Sequence, residues 1–152
     1  MNEDVELEIN LASEWFKNPP SFEVYIDDFL IQNGTVSEKH KENSLKKISW
    51  VGSLSEGDHY IKIKLLNKTN METVIDSKTQ EILKDQLLYI ESISIDQIDI
   101  GFLSYRLGKF YPNKEIRPDL DDVIPHLTCI GYNGEWQLKF SVPTYLWLLE
   151  NF

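Results

Sequence analysis

The sequence predicts an all-β chain that folds as an antiparallel β-sandwich with two long loop excursions. Hydrophobic and polar residues alternate in segments 59–66 and 88–95, which is typical of half-buried strands. Clusters of Gly, Asn, Asp, Ser and Pro divide the chain into short strands, with turns at intervals of roughly 8–12 residues. Segment 57–101 is therefore the centre of the predicted sandwich, and this spacing is that of a sandwich or jelly roll.

A single domain is expected from 152 residues, which suffice to bury one hydrophobic core. Residues 1–21 form an N-terminal strand and a proline-containing linker, and residues 22–152 form the body with an apolar C-terminal tail. Hydrophobic residues make up 41% of the chain, so its composition differs from that of disordered segments. We therefore expect one packed core rather than several.

The charge balance restricts the kinds of partner. Fifteen basic and twenty-five acidic residues give a net charge of −10, which repels phosphate backbones and anionic lipids, so neither nucleic acid nor a membrane is expected as partner. The acidic first residues are unlike a signal peptide, and no apolar run approaches the ~20 residues of a membrane span. We expect a soluble product. The single cysteine, Cys129, has apolar neighbours that predict a buried, unreactive thiol.

The N-terminal part contains a strand followed by a tight hairpin. Segment 5–12 alternates apolar residues with Glu6, Glu8, Asn10 and Ala12, and the double proline Pro19-Pro20 ends this region in a loop. Segment 22–31 predicts a hairpin that turns at Asp27 and Asp28, because Asp tolerates left-handed backbone angles. The pattern recurs at 95–98, so we predict two hairpins of the same build.

The first excursion, residues 67–86, predicts a small hairpin between segments 73–76 and 81–85. Its oxygen-bearing side chains are candidate calcium ligands, although they lack the close spacing of a dedicated calcium loop. These candidates are Asn67, Asn70, Asp76 and Asp85. The alternative is an ordinary solvated loop.

The second excursion, residues 102–134, is predicted to be irregular because it contains Pro112, Pro118 and Pro125. Helical spacing occurs only in segment 120–127, so at most a turn or two of helix is expected there. Long irregular loops in compact domains are often functional, which makes this excursion the predicted binding surface. Its aromatic rings have an alternative role, which is to cap the end of the sandwich.

The C-terminal part begins with Asn133-Gly134, a strong signal for a type I′ turn. A strand at 136–142 follows and ends at Pro143. The remaining tail is apolar on all sides and must be buried, either on its own sandwich or against another chain. The predicted partner-contact residues of this tail are Tyr145, Trp147, Leu148 and Phe152.

No catalytic signature is recognisable in the sequence. His40, His59 and His126 occur in unrelated contexts without a neighbouring nucleophile motif. One cysteine and three scattered histidines do not make a zinc site, and seven singly placed glycines do not make a phosphate loop. We therefore expect a non-enzymatic protein without a cofactor, apart from calcium as a weak candidate.

Several segments together resemble small jelly-roll domains of virion proteins from tailed bacteriophages. They are GDHYIKIKLLNKT at 57–69, TVID at 73–76, KD at 84–85, IESISID at 90–96, NGEW at 133–136 and YLWLLEN at 145–151. Those domains are similar in fold to carbohydrate-binding modules, including calcium-dependent ones. The resemblance implies a sandwich that is made in the host cytoplasm and carried on a phage particle, decorating head, neck or tail or contacting the host surface.

Three functional hypotheses remain open. The favoured one is a structural or accessory virion protein that contacts other virion proteins in a symmetric assembly. The second is a carbohydrate-binding module for host-surface glycan, with ring stacking and carboxylate acceptors from the second excursion and its flank. The predicted glycan-binding residues are Tyr105, Phe110, Tyr111, Asp119, Asp121, Asp122, Tyr132 and Trp136. The third is a glycan hydrolase, since paired carboxylates are abundant in any acidic protein.

Overall fold

The chain forms two antiparallel sheets and a separate small hairpin, as seen in a computed structural model that describes residues 1–43 and 45–152. In the N-terminal part the strands are β1 (Asn2–Glu14), β2 (Ser21–Ile26), β3 (Phe29–Thr35), β4 (Lys46–Ser55) and β5 (Gly57–Leu65). The middle contributes β6 (Val74–Ile75), β7 (Ile82–Lys84), β8 (Leu87–Ile95), β9 (Ile98–Asp99) and helix α1 (Gly101–Leu107). The last elements are β10 (Lys109–Pro112), β11 (Ile124–Pro125), β12 (Cys129–Ile130), β13 (Gly134–Val142) and helix α2 (Thr144–Asn151).

The two large sheets confirm the predicted all-β sandwich. One has the strand order β12-β8-β1-β4, with β9 paired to β8, and the other has the order β11-β10-β13-β5-β2-β3. Strand β1 is central in the first sheet, where Leu7 lies opposite Trp50 on one side and Ile95 on the other. Strand β5 is central in the second sheet, where Ile63 lies opposite Trp136 and Val24.

The core lies between the two sheets and follows from the alternation in the sequence. Leu7 and Ile9 point inward from β1, while Ile61 and Ile63 point inward from β5, and all four are fully buried in one cluster. Burying one such side chain contributes about 1.5–3 kcal/mol. The acidic residues between them, such as Glu8, are on the outer face, so a one-residue register shift would bury charge.

The two predicted hairpins are present and share one construction. Asp27 and Asp96 are the first turn residues, with φ angles of 53° and 51° in the left-handed region. The hairpin β2–β3 belongs to one sheet and β8–β9 to the other. The recurrence in the sequence therefore corresponds to a recurrence in structure.

The second excursion is more ordered than predicted. Helix α1 begins at Gly101, where Asp99 Oδ1 accepts a hydrogen bond from the Gly101 backbone N–H at 2.7 Å. Leu103 packs into the core from this helix, which ends at Gly108. The predicted helical turns at 120–127 are wrong, because that segment forms bends and the short strand β11, which pairs with β10.

The predicted tight turn at Asn133 and Gly134 is also wrong. Strands β12 and β13, which flank it, belong to different sheets and do not pair with each other. The chain bends here to cross between the sheets, and the Asn133 side chain is buried rather than exposed on a loop tip. An Asn-Gly pair favours positive backbone angles but does not determine which strands pair.

The apolar tail forms α2, which packs one face onto its own sandwich. Trp147 and Leu148 are buried, and the Trp147 ring meets the Phe140 ring edge-on with centroids 6.3 Å apart. Their prediction as partner-contact residues is therefore corrected, since the domain's own core covers them. Tyr145 and Phe152 lie on the opposite face, with 60% and 66% of their surfaces exposed. Among the described residues, no helix is long and apolar enough to cross a membrane.

Candidate functional site

A cleft of about 900 Å³ opens at one end of the sandwich, between the β6–β7 hairpin and the segment that leads into β13. We call it the Tyr132 cleft. One wall is apolar and the rim is polar, which is the usual composition of a small-molecule site, and the volume is within the range of about 300–1,000 Å³ for such sites. The apolar wall contains Ile75, Ile82, Leu87 and Ile116, and the polar groups include Lys68, Thr69, Asn70, Thr73, Asp85, Arg117 and Tyr132.

Lys68 is fixed in this cleft by contacts at both ends of the residue. Its backbone N–H donates to Asn133 Oδ1 at 2.7 Å, and its carbonyl accepts from Asn133 Nδ2 at 2.7 Å. Its ammonium group donates to Asp85, which also accepts a hydrogen bond from Thr73 Oγ1 at 2.7 Å. The Asn133 side chain therefore forms the two hydrogen bonds that a paired strand residue would form with the Lys68 backbone. It links the segment after β5 to the start of β13.

The ring of Tyr132 is the aromatic surface of the cleft. The Arg117 guanidinium lies 4.9 Å from the ring centroid, and the Lys68 ammonium lies 5.9 Å from it. Arg117 is held in turn by two hydrogen bonds to Asp119, at 2.9 and 2.7 Å. These hydrogen bonds are the main reason why the pKa of Asp119 falls to about 2. Cationic donors are thus fixed beside an aromatic ring.

A second cleft, of about 640 Å³, lies on the other side of β7, and we call it the Trp15 cleft. Its aromatic residues are Trp15, Phe16 and Tyr89, all half-buried. Ile82, Asp85 and Leu87 line both clefts, so the hairpin forms a ridge between them. Sequence reasoning missed this cleft, because its rings come from the end of β1 and from β8, far apart in the chain.

The structure separates the predicted glycan-binding residues. Tyr132 lines the cleft, and Asp119 reaches it indirectly through Arg117. Tyr111 lines a smaller cleft of about 390 Å³, and Tyr105 stacks on His126 at the surface of α1. Asp122 pairs with Lys114 at 3.4 Å, and Asp121 is exposed.

Phe110 and Trp136 cannot contact a ligand from solvent, which corrects their prediction. Both side chains are fully buried between the sheets. Strand alternation places them on the inner face of β10 and β13, where they lie opposite each other in the register. The alternative prediction is that the aromatic residues cap the end of the sandwich, and these two lie in its core.

The four predicted calcium ligands have different neighbours. Asn70 and Asp85 line the Tyr132 cleft, whereas Asn67 Oδ1 accepts from the Ser21 backbone at 2.9 Å. Asp76 accepts hydrogen bonds from two backbone N–H groups of the β6–β7 turn, which lower its pKa. In the described part of the chain, no group of three or more His, Cys, Asp or Glu side chains is arranged to hold a metal.

Cys129 lines the Tyr132 cleft and is half-buried. Burial is the first cause that raises the pKa of its thiol, which keeps the thiol protonated near neutral pH. Burial also raises the pKa of the neighbouring Tyr89 hydroxyl to about 12. Cys129 therefore offers the Tyr132 cleft a weakly hydrogen-bonding thiol, whereas Tyr89 lines the Trp15 cleft.

No protein-family model matches the sequence, and no curated protein matches it. Among solved structures, the fold is similar to a carbohydrate-binding module described as vCBM60 in complex with galactobiose, with a TM-score of 0.53 and 7% identity. The alignment covers 90% of this chain and 97% of that chain. Similarity at this identity shows the fold alone. The predicted sandwich resembling carbohydrate-binding modules is confirmed, and nothing in these comparisons concerns a phage origin.

Proposed function

We propose that this protein is a non-catalytic carbohydrate-binding module that holds a saccharide in the Tyr132 cleft. The observation that carries the proposal is the Tyr132 ring, held beside the fixed donors of Lys68 and Arg117. A sugar presents C–H groups on its face and hydroxyls around its rim, which match an aromatic ring that has hydrogen-bond donors close to it. The shared fold with a module that binds galactobiose supports the same assignment.

Each part of the cleft has a role in this proposal. Lys68 and Arg117 donate hydrogen bonds to sugar oxygens, and Asn70 Oδ1 and Thr69 Oγ1 accept from hydroxyls. Ile82 and Ile116 provide apolar contact for C–H groups. Because Lys68 is already paired with Asp85, its ammonium is oriented before a ligand arrives, which reduces the entropy lost on binding.

Affinity electrophoresis and calorimetry with β-galactan and galactobiose test the proposal, since these are the natural first ligands. We expect Tyr132→Ala to weaken binding at least tenfold. The matched control is Tyr60→Ala, which removes a partly exposed tyrosine from β5, outside the cleft. Repeating the measurement with a chelator tests the calcium prediction. Wild-type affinity in Tyr132→Ala, or no retention of the protein by any neutral polysaccharide, would refute the proposal.

A second candidate function is self-association through an apolar surface on the two helices. Tyr145, Leu149 and Phe152 follow one another along the outer face of α2, and Leu149 is 75% exposed. Phe102 of α1 extends this surface, because Arg106 contacts both the Phe102 ring and the Asn151 carbonyl. We call these four exposed side chains the helix patch.

A second copy of the chain is the occupant that the helix patch suits best. Its three rings and one leucine are 60–75% exposed and together present several hundred Å² of apolar surface, which is a substantial part of the ~800 Å² per partner of a standard interface. The charged residues of the two helices are Arg106 and Glu150. In a two-fold symmetric dimer, both copies use the same patch. Arg106 of each copy can therefore pair with Glu150 of the other.

Light scattering after gel filtration tests this candidate with two matched phenylalanines. Phe102 and Phe29 are both 67% exposed, but Phe29 is the first residue of β3 and lies outside the helix patch. We expect a dimer that Phe102→Ser disrupts and Phe29→Ser preserves, and that high salt strengthens by screening the repulsion between two chains of charge −10. A monomeric wild type at high salt would exclude self-association. Assembly with other virion proteins rests on the sequence resemblance and stays a prediction.

A further inference from the structure

The Trp15 cleft combines aromatic rings with cations to an extent that is unexpected on an acidic protein. The Lys39 ammonium lies 5.2 Å from the Trp15 ring centroid, and the Lys84 ammonium lies 5.5 Å from that of Phe16. The Lys41 ammonium lies 4.6 Å from the Tyr89 ring. Three lysines therefore converge on three rings, although the chain as a whole carries a net charge of −10.

The carboxylates of this cleft are already engaged by other groups. Glu14 pairs with His40 at 3.7 Å and accepts a hydrogen bond from the Lys41 backbone at 3.2 Å. Asp85 is bound by Lys68 and Thr73 on the opposite side of the ridge. An anion entering the cleft would thus meet cations and paired carboxylates, so the repulsion expected from the overall charge is reduced locally.

Lys39 and Lys84 are the two cations that remain available. Neither ammonium forms an ion pair with a described carboxylate, whereas Lys41 pairs with Glu91 at 3.3 Å. An exposed contact between a cation and a ring is weaker than a hydrogen bond between two charged groups. A ligand carboxylate can therefore draw each lysine away from its ring and expose the ring face.

The Trp15 ring is held in position independently of the Lys39 side chain. Its indole N–H donates to the Glu38 carbonyl at 3.0 Å, and its backbone N–H donates to the Lys39 carbonyl at 3.0 Å. The ring and the Lys39 backbone consequently stay together while the lysine side chain is free to reorient. A ring held by its own hydrogen bond beside Lys39 is suited to stacking under a sugar whose acid group the lysines bind.

We propose that the Trp15 cleft is a second saccharide subsite, specific for a sugar that carries a carboxylate. The inference rests on the proposed function, because the two clefts share the β6–β7 ridge and one glycan chain can lie across it. It extends that function by naming the ligand class, an acidic polysaccharide. Lys39 and Lys84 bind the carboxylate, Trp15 and Phe16 contact the sugar face, and Tyr132 holds a neighbouring sugar on the other side of β7.

Affinity electrophoresis of the full chain in gels containing polygalacturonate, alginate or polysialic acid tests the proposal. Fully methyl-esterified polygalacturonate is the matched ligand control, because it keeps the sugar and removes the charge. We expect retardation by at least one acidic polymer, at least tenfold weaker binding to its neutral counterpart, and loss of retardation at high salt. A sulfated galactan distinguishes carboxylate recognition from general anion binding, and stronger retardation by the sulfated polymer would contradict the proposal.

The variant Lys39→Met/Lys84→Met is expected to lose at least tenfold in affinity for the retained acidic polymer. Its control, Lys109→Met/Lys139→Met, changes the net charge equally on the outer face of the other sheet. Equal binding by both double variants, or no retention by any acidic polymer, would overturn the inference. If β-galactan still binds and Tyr132→Ala abolishes that binding, the proposed function stands without the second subsite. If Lys39→Met/Lys84→Met loses binding to the acidic polymer and Tyr132→Ala binds like the wild type, the second subsite stands and the proposed role of Tyr132 is refuted.

Discussion

Asp27 and Asp96 occupy the same position in two hairpins, one in each sheet, and make the same contacts. The Asp27 backbone N–H donates to the Tyr60 carbonyl, and its Oδ1 accepts from the Tyr60 N–H, both at 2.8 Å. Asp96 does the same with Glu6, at 2.8 and 2.9 Å. Each aspartate thus extends the hydrogen bonding between its own strand and the neighbouring strand by one residue beyond the end of its own strand. The remaining oxygen of Asp27 contacts His59 in the same neighbouring strand, whereas that of Asp96 accepts from Thr144 Oγ1 and links its hairpin to α2.

Replacing either aspartate with alanine should therefore destabilise the fold. Asp27→Ala and Asp96→Ala each remove hydrogen bonds to a charged group and place alanine at a positive φ, which together cost about 2–3 kcal/mol. Chemical denaturation measures the loss. Asp28→Ala is the control, because that side chain is fully exposed, and we expect it to change stability by less than about 0.5 kcal/mol. Similar stability of Asp27→Ala and Asp28→Ala would contradict the stabilising role of the Asp27 hydrogen bonds.

His59 should make stability dependent on pH. The imidazole is buried, with Nδ1 2.7 Å from Asp27 Oδ2 and Nε2 2.6 Å from the Ser55 carbonyl, so both nitrogens face acceptors. Burial opposes the charge on His59, but the hydrogen bonds to Asp27 and Ser55 and the nearby Asp58 outweigh it, and the net pKa is raised above 6.5. The charged form is therefore favoured by folding.

The stabilisation from His59 is fully present below pH 6.5 and is lost as the pH rises through the higher pKa of the folded state. Unfolding free energies between pH 5.5 and 8.5 should fall more steeply for the wild type than for His59→Gln. His40→Gln is the matched control, since His40 is exposed and should leave the profile unchanged. Parallel profiles for the wild type and His59→Gln would refute this explanation.

Gly108 should not tolerate a side chain, because Trp136 fills the space beside it. A Cβ at this position would lie 2.4 Å from the Ser104 carbonyl oxygen and 2.4 Å from the Trp136 ring. Overpacking of this kind costs about 1–3 kcal/mol, so we expect Gly108→Ala to lower the thermal midpoint clearly. At Gly131, the nearest atom to a Cβ is a Leu87 methyl carbon at 3.3 Å, and Gly131→Ala should be milder. A fully stable Gly108→Ala protein would show that Trp136 does not occupy this place.

The two faces of α2 should respond differently to truncation. Trp147→Ala removes a buried ring that contacts Phe140 and should cost about 3 kcal/mol or more. Leu149→Ala on the outer face should change the stability of the monomer by less than about 0.5 kcal/mol, measured at low protein concentration. Deleting residues 145–152 removes the buried face as well and should unfold the domain. A folded deletion protein would mean that α2 is not part of the core.

The fold was largely predictable because its strands carry their own pattern. Alternation in β1, β5, β8 and β13 specifies which residues face inward, and Asp27 with Asp96 specifies two of the turns. Helix α1 was missed because its seven residues are too few to show a clear helical period, and three prolines follow. The bend at Asn133 was misjudged, because strand pairing depends on contacts far away in the sequence.

The candidate site was less predictable than the fold. Tyr132 was identified from the excursion in which it lies, but Phe110 and Trp136 belong to strands whose alternation places them inside. Lys68, Arg117 and the aromatic residue Trp15 were not identified, since each acquires its significance from a neighbour distant in the sequence. Alternation indicates burial within a strand, whereas a cleft is assembled from several loops whose relative position only the folded chain reveals.

The β6–β7 hairpin pairs only with itself within the described structure and lies outside both large sheets. Its exposed side chains, such as Ile75 and Leu83, make no part of the main core. Changes in its length or sequence are therefore nearly independent of folding stability, yet they alter both clefts at once. Natural variation is expected to be tolerated here, and exchanging this hairpin between related domains offers a direct way to transplant ligand preference.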